Sequence, residues 1–128
     1  MKITRAKALQ YIPASHENKN NPGVYKKVLV KPFDVQRGNL QMINWSKMPP
    51  GKSFRKHYHE DLEEVFLMID GTAELVCGDE AVVLERGDCV CIPPGIVHSM
   101  KNLSENDVLY IVVGIASGKG GKTVAVEG

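Results

Sequence analysis

The stretch Gly51-Lys52-Ser53-Phe54-Arg55-Lys56-His57-Tyr58-His59-Glu60-Asp61-Leu62-Glu63-Glu64, closed by Gly71, decides how this chain reads. If His57-Tyr58-His59 lies on a strand, residues two apart share a face, and both imidazoles point the same way. Glu64 opens the next apolar run, so after the short Glu60–Glu63 connection its carboxylate can return beside them. A second stretch, Gly87-Asp88-Cys89-Val90-Cys91-Ile92-Pro93-Pro94-Gly95-Ile96-Val97-His98-Ser99-Met100-Lys101-Asn102, carries His98 just past a Pro-Pro-Gly turn. From a neighbouring strand His98 can close the group. Three neutral imidazoles and one carboxylate suit one divalent transition metal per chain, whether Fe, Mn, Ni, Co or Zn. Four protein ligands on an ion preferring six leave positions for water, substrate or dioxygen, as a reactive site requires.

Outward from these stretches the periodicity favours strands. Val24–Val30, Leu40–Trp45, Glu64–Ile69, Thr72–Cys77, Ala81–Leu84, Cys89–Ile92 and Val108–Val113 are short and rich in β-branched or aromatic residues. Gly, Pro, Asn and Asp punctuate them. Gly78-Asp79 predicts a tight hairpin between two of the runs. Ile3, Ala6, Leu9 and Ile12 recur at helical spacing before Pro13, so the first dozen residues alone are expected to be helical. Residues 14–23 read as an exposed loop, with His16 solvent-facing. The organisation expected is an N-terminal segment (1–23), a β-domain (24–116) and a mobile or docked tail (117–128). Gly121-Lys122-Thr123 hints at a phosphate loop, but position 116 is Ala and too little chain follows for the helix that motif needs.

Composition narrows the function classes. The 128 residues fit one domain, and a net charge of +1 offers no field for nucleic acid or an anionic membrane. No apolar leader opens the chain, and Val108–Ala116 is too short to span a bilayer. Three cysteines argue against a disulfide framework. Cys89 and Cys91 are expected to be small buried hydrophobes on one face. A soluble, cytoplasmic protein is the expectation.

Both stretches resemble the two motifs of the cupins, G-x5-H-x-H-x3–4-E-x6-G and G-x5-P-x-G-x2-H-x3-N. Gly51, His57, His59, Glu64 and Gly71 fill the first; Gly87, Pro93, Gly95, His98 and Asn102 fill the second. Chance placement of these ten residues has a probability of about 10⁻¹² per position scanned. The resemblance implies an all-β fold, a double-stranded β-helix or jelly-roll barrel with little or no helix. It also implies a metal near one mouth held by His57, His59, Glu64 and His98. The first motif tolerates Glu63 as well, but six residues before Gly71 select Glu64. Asn102 is expected to bond its local backbone rather than a metal.

Around that site Met42, Phe66, Met68, Met100 and Tyr110 have the character of barrel-lining residues, and Trp45 falls near the mouth. Candidates to touch a substrate are Arg55, Phe66, Met100 and Tyr110; Arg55 and Ser53 share the parity of His57, and the Arg fork could hold a carboxylate. Arg55, Glu63 and Tyr110 are the catalytic candidates. A metal with open positions can chelate vicinal oxygens and act as a Lewis acid. The expected function is therefore a metal-dependent isomerase or dioxygenase of a small sugar, sugar acid or keto acid. The alternative is a non-catalytic sugar- or acid-binding module with a regulatory role. Small cupins often dimerise, and the apolar Val24–Val30 run suggests a homodimer formed through a free edge.

Overall fold

In the computed structural model, which describes residues 1–127, the alternating runs become strands. In chain order these are β1 (Ile12–Pro13), β2 (Tyr25–Val30), β3 (Leu40–Met48), β4 (His57–His59), β5 (Glu63–Asp70) and β6 (Ala73–Cys77). They continue with β7 (Glu80–Leu84), β8 (Cys89–Ile92), β9 (His98–Asn102), β10 (Val108–Ile115) and β11 (Thr123–Ala125). Along β10, Val108, Tyr110, Val112 and Gly114 are buried while the residues between them are not. On β5 the same alternation buries Glu64, Phe66 and Met68 and exposes Glu63 and Leu67. Two antiparallel sheets result among the described residues, ordered β1-β2-β3-β10-β5-β8 and β11-β4-β9-β6-β7. They face each other as the double-stranded β-helix the motifs imply. Met48, Phe66, Met68, Leu75, Ile92 and Met100 pack between them.

Turn chemistry sets the register. Gly78, at φ 60°, and Asp79 join β6 to β7 with Cys77 opposite Glu80, as a two-residue hairpin requires. Gly71 sits at φ 88° with no room for a side chain, since a Cβ there would lie 2.9 Å from Val108 Cγ2. Asn102 closes the second motif region without facing the metal site. Its amide donates to the carbonyls of Met48 and Asn106, and its oxygen accepts from the backbone and hydroxyl of Ser104.

Several sequence expectations are corrected. The N-terminal helix is only a 3-10 turn at Ala6–Ala8, because so short a segment cannot offset helix nucleation. Ile12 and Pro13 instead pair with Lys26 and Tyr25. Tyr11 is drawn onto the sheet by the Trp45 indole, which donates to its hydroxyl, and by Lys27 and Lys47 over its ring. Trp45 thus lies on the outer face, opposite in parity to the buried Asn44 and Ser46, and not at the mouth. β1 covers β2 only at Tyr25 and Lys26, so residues 27–30 keep an unpaired edge on that side. Cys89 and Cys91 are exposed, because on β8 the inward parity belongs to Val90 and Ile92. Within residues 117–128, Thr123–Ala125 pairs with β4, anchored upstream where Asp61 accepts from the Ser117 and Gly118 amides. Among the described residues no helix is long and apolar enough to cross a membrane.

Candidate metal centre

β4 supplies His57 and His59, and both imidazoles are buried as the i, i+2 spacing demands. Across the sheet His57 stands directly opposite His98 on β9. β5 belongs to the facing sheet, and its inward alternation brings Glu64 to the same point. One ligand atom from each of the four lies within 4.8 Å of the others. The structure therefore assembles His57, His59, Glu64 and His98, and leaves Glu63 exposed on the other face of β5.

The hydrogen bonds around the cluster settle which ring nitrogens are free. His57 Nδ1 donates to the Arg55 carbonyl, and His98 Nδ1 donates to Ile96 O at 2.9 Å. His59 Nδ1 meets the Thr123 hydroxyl at 2.8 Å. With protons held on Nδ1, His57 and His98 turn bare Nε2 lone pairs inward. Glu64 Oε1 lies 2.9 Å from His59 Nε2 and 3.3 Å from His98 Nε2. Yet these three atoms are buried without a hydrogen-bond partner. Close approach of lone pairs and a carboxylate oxygen with no proton between them is costly unless a cation sits there. The donor set thus fits a divalent ion of the transition series.

The electrostatics agree. Burial pushes the His57 imidazole down to about 3, helped by neighbouring imidazoles and opposed by the Arg55 carbonyl. Burial thus keeps His57 neutral, the state metal binding needs. A pH dependence follows for the metal-free protein. Between the unfolded imidazole value of about 6.5 and the folded value of about 3, the unfolded chain binds the extra proton at His57. Stability therefore falls as pH is lowered through that window. Melting temperature against pH in chelator measures this; a flat profile from pH 7 to 4 would contradict it.

His57, His59 and Glu64 open onto a cavity of about 310 Å³. Phe54, Phe66, Tyr110 and Val112 form apolar wall, and Asn44 and Ser46 bring polar groups. Phe66 and Tyr110 thus stand where the sequence placed them. Tyr110 is buried, and burial raises its phenol far above the ordinary value, so it stays protonated. Met100 is a core residue and does not line the cavity. Arg55 is exposed and also absent from the lining, as is Ser53. Their parity argument fails because β4 begins only at His57 and the chain before it is not extended in register. It is Phe54 that turns inward.

The sequence missed His16. It is not solvent-facing: its side chain is 16% exposed and its ring stacks on His57, centroids 4.0 Å apart. Glu17 accepts from His16 Nδ1 at 2.7 Å and from the amides of Gly23 and Arg55 at 2.6 Å each. Burial works to raise the Glu17 carboxyl, but these bonds, His16 foremost, hold it below its ordinary value. No local signal marks a lone His in a polar loop. Asn44 was findable, since it shares the parity of Met42. Thr123 was not. Because it holds the His59 ring, Thr123→Val should weaken metal affinity about 10- to 100-fold without unfolding the protein. Competition with a chromophoric chelator checks this, and unchanged affinity would refute it.

Comparison with known proteins places this geometry. The family model "Cupin domain" matches residues 44–114, more than half of the chain, and the chain belongs to the cupin family. An uncharacterized Aquifex aeolicus protein is 37% identical over 73 residues, 57% of this chain and 54% of that one. Among solved structures, a Thermotoga maritima protein titled a predicted oxalate decarboxylase superposes with TM-score 0.78 at 22% identity, covering 91% of this chain and 99% of that one. The polyketide cyclase RemF from Streptomyces resistomycificus does so with TM-score 0.78 at 17% identity, covering 99% and 86%. The chain spans between 14% and 56% of the length of the curated relatives it matches.

Proposed function

We propose that this cupin is a metal-dependent enzyme acting on a small oxygenated metabolite, a sugar, sugar acid or keto acid, by isomerisation or oxygenolysis. The observation that carries it is the set of buried, unpartnered ligand atoms on His59, Glu64 and His98 beside a cavity that His57, His59 and Glu64 line. A divalent ion held by His57, His59, Glu64 and His98 would supply Lewis acidity to a carbonyl or to vicinal oxygens. The chain's own groups do the rest. Phe54, Phe66 and Tyr110 exclude water from that side of the cavity. Glu17 fixes the proton of His16 on Nδ1, which leaves Nε2 to accept a hydrogen bond from a substrate hydroxyl. The structural neighbours titled a decarboxylase and a cyclase support an enzymatic reading of the fold, though not a particular reaction.

The test is elemental analysis of untagged protein purified without chelator. It is followed by turnover screens with several metals on aldoses, keto acids and oxygen consumption. About one transition metal per chain and turnover in one screen are expected. Metal without turnover in every screen would favour the second reading, a non-catalytic binding module. That reading has one support: outside the quartet, His16 is the only imidazole on the cavity wall. A ligand that raises the melting temperature and is recovered unchanged would be its signature.

A further inference from the structure

The cavity carries a second polar feature, away from the metal quartet. Lys26 lies on the inward parity of β2, is half-buried and lines the cavity. Its ammonium donates to Ser15 Oγ at 2.7 Å, and among the described residues no carboxylate pairs with it. Burial lowers it from its ordinary value, so the site holds a cation at a cost in solvation. Asn44, on the adjacent strand β3, is only 7% exposed, and its Oδ1 is buried with no hydrogen-bond partner. A buried carbonyl oxygen without a donor is rare, and on a cavity wall it is open to a donor from a bound ligand or water. Ser46, opposite Lys26 in the β2–β3 register, adds a hydroxyl to the same wall.

The charges are lopsided. Glu64 is the sole carboxylate among the lining residues, and it belongs to the metal set, whereas Lys26 lines the wall and Lys31 the rim. With a divalent ion in place, the cavity is strongly positive and favours an anion. Position matters as well. Lys26 is three strands from Glu64 in the order β2-β3-β10-β5. At ordinary strand spacing that is about 14 Å across the sheet, and the pairing register sets Lys26 four residues further along the strands, about 13 Å, before both side chains reach inward. One end of a ligand can therefore meet the metal while another meets Lys26. A cavity of about 310 Å³ is at the small end of ligand sites, which run about 300–1,000 Å³.

We propose that the cavity takes a small polyhydroxylated carboxylate of sugar-acid size, its carboxylate on Lys26 and a hydroxyl donating to Asn44 Oδ1, with its oxygens at the other end toward the metal quartet. This rests on the metal reading above and narrows its substrate class, excluding neutral sugars as preferred ligands. His16 Nε2 and Ser46 complete the hydroxyl contacts.

The experiment is calorimetric titration of metal-loaded protein with D-glucuronate and D-glucose, a pair differing by a carboxylate in place of a hydroxymethyl group. Wild type should bind glucuronate about tenfold or more tightly than glucose, the worth of one charge-assisted hydrogen bond. Lys26→Met should bring that ratio to about one, and Lys26→Arg should keep it. Asn44→Ala should weaken both sugars and leave the ratio unchanged. Metal content is measured on every sample, and melting curves verify that each variant is folded. Equal binding of the two sugars, binding of neither, or a preference surviving in folded Lys26→Met overturns the assignment while leaving the metal reading intact. Protein that takes up no metal overturns both.

Discussion

Glu64→Gln should strip the metal from the protein and at the same time make the metal-free form more stable. The two effects have opposite signs because they come from one atom. In the metal-free chain Oε1 of Glu64 faces Nε2 of His59 at 2.9 Å and the bare Nε2 of His98 at 3.3 Å, and none of the three has a hydrogen-bond partner. A glutamine amide can turn an N–H group toward the His98 lone pair. It then satisfies a buried acceptor and removes a buried charge, for a gain of about 1–3 kcal/mol. The same amide is a poor ligand for a transition ion, so metal content should fall from about one per chain to less than about a tenth. Elemental analysis and thermal unfolding in chelator read the two effects separately. A variant that keeps its metal, or whose metal-free form melts below wild type, would show that the cluster is not a cation site.

Asn102→Ala should be the most destabilising single change in the second motif and should leave the metal ligands intact. The Asn102 side chain is 3% exposed and makes bonds that no other side chain replaces. It donates to Met48 O at 2.9 Å and Asn106 O at 2.8 Å, and accepts from Ser104 N at 2.7 Å and Ser104 Oγ at 2.6 Å. Truncation orphans the buried Met48 carbonyl and frees the turn between β9 and β10. A loss of about 2–6 kcal/mol follows if two groups lose their partners at about 1–3 kcal/mol each. Denaturant unfolding measures it. Protein prepared in the cold should still carry about one metal per chain, because Asn102 is not a ligand. A loss below about 1 kcal/mol would mean that water replaces the amide without cost.

Much of this was legible because the chemistry is written in short-range spacing. His57 and His59 are two apart, and on any strand they must share a face. The alternation of β5 and β10 declared which residues face inward, which is why Glu64, Phe66 and Tyr110 sit at the cavity and Glu63 does not. Local rules failed where the chain leaves regular structure. Arg55 was assigned a strand parity, yet the segment before β4 is irregular and Arg55 faces out. Cys89 and Cys91 were taken for core because alternation reveals that two residues share a face but not which face that is.

His16 and Thr123 mark the other limit. One precedes the barrel by a loop and the other follows it by a Gly-rich tail, yet the first stacks on His57 and the second braces His59. Their sequence separations from those partners carry no period, so no pattern could pair them. By itself, the sequence determined the strand-rich class, the shared face of His57 and His59 and the hairpin at Gly78-Asp79. Each depends on residues whose relation is set by strand periodicity or turn dihedrals. Only the tertiary structure decided which loop closes the cavity, that Lys26 and Asn44 line it, and that the tail completes the second sheet. Those are contacts between distant segments, fixed by how the two sheets pack and not by any local preference.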